Sequence, residues 1–319
     1  MRHRRGMRCL IKFGYVPAMY VGFIGSAVYL AGNAGPFWAF AVLVAAAAAT
    51  SFLAERRLPY EPAWNHDVAG DSKRDAVHAF VNESVMLASV GVIPLLAALH
   101  LNTDLWPTSW PLVVQVLGAV LVADFGITVA HIASHRVDVL WRFHAVHHSV
   151  TRSYGLNGLM KHPVSQIFET TVGVLPLIAL GVPTPIASAL AVSVAVQLLL
   201  QHSNVDYTVG PLRSGLSLNE GHRFHHLKWA GIGDVNFGLF TLLWDYLFRT
   251  YSFDPERRFT SNDLGIAAKP GYPVRWAPQM LEPFRASGAC MSTPTRAEDV
   301  EAAQQMPLPA ALTTRATAT

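Results

Sequence analysis

Charge is distributed along this chain in blocks, and the gaps between blocks are long and apolar. No charged residue occurs between Lys12 and Glu55. A helix needs about 20 mostly apolar residues to cross a bilayer core of about 30 Å. This stretch therefore predicts two crossings, from about Tyr15 to Leu30 and from about Phe37 to Leu53. Gly32-Asn33-Ala34-Gly35-Pro36 supplies the break between them. A third apolar run lies between Glu83 and Asp104. A fourth lies between Asp104 and Asp124 and continues to about Ala130. The uncharged stretch from Glu169 to Asp206 is interrupted at Gly181-Val182-Pro183-Thr184-Pro185, so it predicts a helical hairpin. The expected fold is an all-α integral membrane protein of about four transmembrane helices plus this hairpin.

Lysine and arginine near the span ends predict orientation. Arg2, Arg4, Arg5, Arg8 and Lys12 precede the first span, and Arg56 and Arg57 follow the second. Both positions are expected to be cytoplasmic. The loop from Leu101 to Ser109 has no Lys or Arg and is expected on the far side. The fourth span then returns the chain to the cytoplasm just before His131. If the hairpin enters and leaves on one side, segments 131–162 and 202–226 share the cytoplasmic face. The long first span, followed at once by a second, argues against a cleaved signal peptide. The segment after Phe284, rich in Ala, Thr, Ser and Pro, reads as a disordered tail.

Composition sharpens the membrane reading. Of 319 residues 51% are hydrophobic and 14% charged, with mean hydropathy +0.29. Soluble domains carry about 25% charged residues. A net charge of +3 gives no reason to expect a nucleic-acid partner. Two cysteines, Cys9 and Cys290, exclude a disulfide framework and a Cys-based metal site. Histidine is the anomaly, with 14 residues, ten of them between His131 and His226.

Three clusters carry most of these. His131 and His135 form an HxxxH. His144, His147 and His148 form an HxxHH, and His222, His225 and His226 form another. Residues at i, i+3 and i+4 share one helical face. His162 and His202 lie between the clusters. So much imidazole packed together without a metal would leave many ring nitrogens unpartnered. Eight to ten ligands exceed what one ion takes, so two ions are the natural count. An all-imidazole shell suits Fe, Zn, Cu or Ni by ligand type. A lone HxxxH is common by chance, whereas this succession is not. His162 has a bland alternative as a local cap before Pro163. His202 emerges from an apolar helix, where an unpaired polar group is costly. His3, His66, His78 and His100 are scattered and read as surface or loop residues.

The segment Trp141-Arg142-Phe143-His144-Ala145-Val146-His147-His148-Ser149, together with the order HxxxH, HxxHH, HxxHH, resembles the fatty acid hydroxylase and sterol desaturase superfamily. Asp124-Phe125, Gln201-His202-Ser203-Asn204, Asp234-Val235-Asn236-Phe237-Gly238 and Trp244-Asp245 through Tyr251 extend the likeness, which covers roughly Val114 to Phe284. The resemblance implies a membrane-bound non-haem di-iron oxygenase. Such an enzyme uses O2 and two external electrons to hydroxylate or desaturate an unactivated carbon of a lipid, sterol or related apolar substrate. It implies two Fe ions, with Zn able to take their place in isolated protein. The ligands would be His131, His135, His144, His147, His148, His202, His222, His225 and His226, with His162 as a tenth candidate. No separate catalytic residue is expected.

Carboxylates and amides should orient the rings. Asp124, Asn204, Asp234 and Asn236 are the foremost candidates, and Glu169, Asp206, Glu220 and Asp245 are further ones. No Gly-rich dinucleotide motif or fused haem domain is evident, so a separate electron donor is expected, such as a cytochrome b5-like protein, a ferredoxin or a reductase. The expected organisation is residues 1–110 as N-terminal spans and loop, 111–285 as a hydroxylase-like catalytic domain, and 286–319 as tail. The alternatives are a desaturase or ketolase of the same superfamily, and a membrane metal transporter or metal-binding protein.

Overall fold

The computed structural model describes residues 2–98 and 103–285. His100 and the expected tail lie outside the described residues, as does part of the loop from 101 to 109. The architecture is helical, and among the described residues the only β pairing is three isolated bridges.

The first apolar stretch forms α1 (Arg2–Pro17) and α2 (Gly25–Gly32), joined by a π-helical segment, Ala18–Ile24. Together they give a continuous span, Gly6–Gly32. After the expected break, α3 (Phe37–Arg57) starts behind Pro36 and ends on its two arginines. Cations suit the carbonyl end of a helix. α4 (Asp71–Ala98) and α5 (Leu112–Arg136) follow. α6 (Asp138–His148) is set off from α5 by the extended Val137. α7 (Pro163–Ala179) and α8 (Thr184–His202) make the hairpin. The short helices α9 (Asn219–His225), α10 (Leu243–Phe248) and α11 (Trp276–Leu281) complete the chain.

Among the described residues four helices are long and apolar enough to cross a membrane: Gly6–Gly32, α3, α5 and α8. The expected third run is the second half of α4, whose first half carries Asp71, Lys73, Arg74, Asp75 and Glu83. In the hairpin, α7 has 17 residues and is the shorter arm, and α8 has the length of a span.

α8 is also the core of the bundle. Its residues from Ile186 to His202 are almost all buried. A helix apolar on every side belongs in an interior. The other spans keep large side chains exposed, among them Leu10, Val21, Trp38, Val42, Leu117 and Leu121, as a lipid-facing surface does. Helices α5 and α7 cross at van der Waals limit. A Cβ on Gly126 would lie 2.5 Å from the Val172 carbonyl oxygen, and one on Gly173 would lie 2.6 Å from Ile127 Cγ1. Small residues let membrane helices approach this closely.

Candidate metal centre

The histidines meet where the C-terminal ends of α5 and α8 face the cap formed by α6 and α9. Two groups result. His131, His135, His144, His148 and His225 form one, and His147, His202, His222 and His226 form the other. Within each group one nitrogen per ring lies within 4.8 Å of all the others, and every residue is buried.

The two HxxHH helices are shared between the groups reciprocally. The i, i+4 pair His144 and His148 serves the first group, and the i+3 residue His147 turns to the second. In α9 and its C-cap the pair His222 and His226 serves the second group, and His225 turns to the first. On a helix the i+3 and i+4 positions fall on opposite sides of residue i. One motif can therefore reach two ions. The groups touch through the His148 and His226 rings, stacked with centroids 4.6 Å apart.

Five outward ring nitrogens are anchored, while His222 Nδ1 and His226 Nδ1 are buried without a partner. His131 Nδ1 lies 2.9 Å from the Phe237 carbonyl oxygen, His147 Nδ1 2.9 Å from that of Met160, and His225 Nδ1 2.9 Å from that of Val235. His202 Nδ1 lies 3.0 Å from the Leu198 carbonyl oxygen, and His135 Nδ1 3.0 Å from Asp234 Oδ1. A carbonyl only accepts, so each of these rings carries its proton on Nδ1 and presents Nε2 as a lone pair.

The Nε2 atoms converge. His135 and His148 bring theirs to 3.1 Å, and His144 and His148 to 3.2 Å. His202 Nε2 is 3.0 Å from that of His226, 3.2 Å from that of His222 and 3.3 Å from that of His147. His131 Nε2 and His225 Nε2 are buried with no partner at all. Crowded lone pairs without a donor are repulsive, and a cation among them resolves the conflict. The donor set therefore fits a metal in each group.

Burial keeps these rings neutral. Desolvation lowers His144 to about 4, against the pull of Glu169, with the charge of His135 adding to the depression. Desolvation, and after it the neighbouring histidines, hold His147, His148, His222, His225 and His226 well below the ordinary imidazole value. Neutral imidazole is the metal-binding form.

Of the four foremost orienting candidates, Asp234 bonds a histidine directly. Asp124 bonds none. Its carboxylate accepts from the backbone N–H groups of Leu239, Phe240 and Thr241, from Thr241 Oγ1 and from Trp244 Nε1. It thereby pins the loop that carries the Phe237 carbonyl. Asp245 holds the same loop from the other side, accepting from the N–H groups of Phe237 and Gly238. Asn236 adopts φ 53° and bridges Gly221 and Ser252, between the two carbonyls that anchor His225 and His131. Asn204 ties the segment after α8 to Glu61 and Asn65.

His162 is not brought into either group. Its Nδ1 accepts from Val164 N–H at 3.1 Å, capping α7, and its ring lies against Phe143. His78 departs from its surface reading. It is buried, with Nδ1 2.9 Å from the Lys161 carbonyl and Nε2 2.9 Å from Gln279 Oε1. His66 is exposed as expected.

Glu169, one of the further candidates, lies with Oε1 3.4 Å from His144 Nδ1 and forms an ion pair with Lys161. Sequence reasoning left other supports unseen. Glu55, at the end of α3, accepts from Gly155 N–H at 2.7 Å and Asn204 N–H at 3.2 Å. A carboxylate inside an uncharged stretch boundary was the available signal for Glu55. The carbonyl anchors had none, because every residue has a carbonyl.

A mostly apolar cleft lies beside the centre. Met86 and Val90 of α4, Ile127 of α5, Leu177 of α7, and Leu190 and Val194 of α8 line it. Glu169, whose carboxylate is 3.4 Å from His144, and Leu198 and Leu239 line it as well. Leu198 is the residue whose carbonyl anchors His202.

The fatty acid hydroxylase family model matches residues 116–250. The ornithine lipid hydroxylase OlsE of Rhizobium tropici is 32% identical over 280 residues, covering 82% of this chain and 83% of that protein. The chain belongs to the fatty acid hydroxylase family. The alkylglycerol monooxygenase of Homo sapiens is 31% identical over 155 residues, 48% of this chain and 33% of that protein. That of Danio rerio is 27% identical over 210 residues, 60% of this chain and 45% of that protein. The chain thus spans less than half the length of these two monooxygenases. No solved structure matches. As a member of the family the chain is a membrane lipid hydroxylase, an oxidoreductase, and its two histidine groups could hold metal.

Proposed function

We propose that this hydroxylase is an O2-dependent di-iron enzyme acting on a lipid whose headgroup contains an amino acid, by likeness to the ornithine lipid hydroxylase. The observation that carries the reading is the convergence of nine histidines into two groups beside an apolar cleft, with Glu169 of the cleft 3.4 Å from His144. His131, His135, His144, His148 and His225 would hold one ion, and His147, His202, His222 and His226 the other. When bound, the iron pair supplies the activation of O2 that oxidation of an unactivated C–H bond requires.

The chain's own residues do the rest. Asp234 and the Phe237, Met160, Val235 and Leu198 carbonyls fix the ring orientations and tautomers. Ile127, Leu198 and Leu239 keep water from the cleft, and the cleft walls align an acyl chain along α8. Two electrons per turnover come from a separate donor, a cytochrome b5-like protein, a ferredoxin or a reductase. The histidine groups and the N-terminus face the cytoplasm, following the cationic residues around the first two spans. The catalytic unit is residues 111–285, with 1–110 as spans and loop and 286–319 as tail. The first segment supports it through Glu55.

The test is reconstitution of the iron-loaded full chain with a reductant and ornithine lipid under isotopically labelled O2. The expected product carries one labelled oxygen. Turnover that persists without O2, or a product oxygen drawn from water, would overturn the reading.

A further inference from the structure

A second, polar pocket opens beside the histidine centre and apart from the apolar cleft. Its wall includes Asp206 and Tyr207, directly after α8, and Arg223 of α9, with Arg213, Phe253 and Arg258 around them. Arg223 sits within the second HxxHH, yet its side chain has no part in the histidine groups. It is only 5% exposed. Its Nη2 donates to the Ser203 carbonyl at 3.3 Å, and its buried Nε has no partner.

Arg258 shares the Tyr60 ring with Arg223, and Arg213 lies over Phe253. Arg223 lies 3.7 Å from the Tyr60 centroid and Arg258 4.8 Å from it. Arg213 lies 5.2 Å from the Phe253 centroid. Among the described residues no carboxylate comes within 4.0 Å of Arg213, Arg223 or Arg258. Cation–π contacts hold the cations in place but leave their donors free. A buried guanidinium with an idle donor and like charges nearby is costly unless an anion completes it.

The pocket also lies at a telling level. Asp206 is 4.0 Å from Lys12, and Thr208 N–H donates to the Lys12 carbonyl at 3.0 Å. Lys12 is the last charge before the long uncharged stretch, so this wall stands at the edge of the apolar layer, where lipid headgroups lie. Asp206, Glu220 and Asp254 also line the pocket, and Glu220 feels the charges of Arg213 and Arg223.

We propose that this pocket binds the oxyanion of a lipid headgroup, a carboxylate or a phosphate, with Arg223 at its base and Arg213 and Arg258 at its rim. The planar guanidinium fork suits either oxyanion. An amine on the same headgroup faces Asp206, Glu220 or Asp254, so a zwitterionic head fits whole. The inference rests on the lipid reading of the substrate for its choice of ligand, and on the arginine geometry for its site.

Lipid retention by the purified full chain in detergent, read by native mass spectrometry, tests it. The probes are ornithine lipid for the carboxylate, phosphatidylglycerol for the phosphate, and diacylglycerol of the same chain length as the neutral control. The wild-type chain should retain one or both acidic lipids over diacylglycerol. R213Q and R258Q should each weaken that retention about tenfold, with melting temperature and iron content unchanged. Both residues are exposed, so these variants should fold. Preference for ornithine lipid names an amino-acid headgroup as the source, and preference for phosphatidylglycerol names a bilayer phospholipid. Equal retention of diacylglycerol, or full retention by the R213Q/R258Q double variant, would overturn the proposal. Because binding is read without turnover, a chain that binds acidic lipid but never oxidises it keeps the pocket and loses the hydroxylase reading.

Discussion

At the scale of single residues, the centre depends on what lies behind each imidazole. His135 leans on a carboxylate that can be removed without touching a ligand, Asp234 at 3.0 Å. Asp234→Ala should lower iron affinity or turnover about 10- to 100-fold, measured as iron per chain and as rate. Asp234→Asn, which keeps an acceptor oxygen, should lose less. His147 and His162 separate a ligand from a cap. His147→Ala removes one of the four nitrogens of the second group and should abolish activity with loss of iron. His162→Ala should keep its iron and lose about 1 kcal/mol of stability as a lost N-cap does, seen as a lower melting temperature. Equal iron loss in both variants would return His162 to the ligand set. Asp234 could be singled out from sequence because a carboxylate near histidine motifs invites the role. Asp124 draws notice as a charge near the end of a spanning helix, where it needs a partner, and its bonds go to the 239–241 loop and to Trp244 of α10.

At the scale of elements, the positions of α5 and α7 follow from two glycines. Gly126 and Gly173 let the helices touch, and α5 carries His131 and His135 while α7 carries Glu169. Gly126→Val should push the pair apart. Overpacking of this kind costs about 1–3 kcal/mol, so a lower melting temperature in detergent is expected, with partial loss of iron. Gly158 imposes a similar limit on α8, since its Cβ would lie 2.3 Å from the Leu198 carbonyl oxygen and 2.8 Å from His202 Nδ1. The helix count was readable from charge-free lengths, and its assignment was not. Length and hydropathy cannot tell a lipid-facing helix from an interior one, so no local pattern marks α8, one arm of the hairpin, as the packed centre of the bundle. The charged first half of α4 likewise hid that the third apolar run is its continuation.

At the scale of the whole molecule, the buried imidazoles couple stability to pH. The depressed groups stay neutral in the folded chain and take up protons near 6.5 when unfolded. The unfolded state therefore binds more protons between about 6.5 and 4, the value to which His144 is lowered. Stability rises with pH through that window. The contribution is fully present above pH 6.5 and is lost as pH falls toward 4. Metal-free protein should show a melting temperature that drops steadily across this range, and iron-loaded protein should release iron at its acidic end, where protons compete for the ring nitrogens. A melting temperature independent of pH from 7 to 4 would contradict the neutral, buried state of these rings.

The sequence by itself determined the apolar spans, the all-helical class, the histidine residues and the family they mark, because each rests on local spacing or composition. The tertiary structure alone decided how nine histidines divide into five and four, since i+3 and i+4 ligands part only when a second helix stands opposite. It also decided which carbonyls hold the rings, that His78 is a buried tie and His162 a cap, and that Arg223 turns away into a pocket of its own. These outcomes depend on contacts between segments far apart in the chain, and no local pattern records what a side chain will meet.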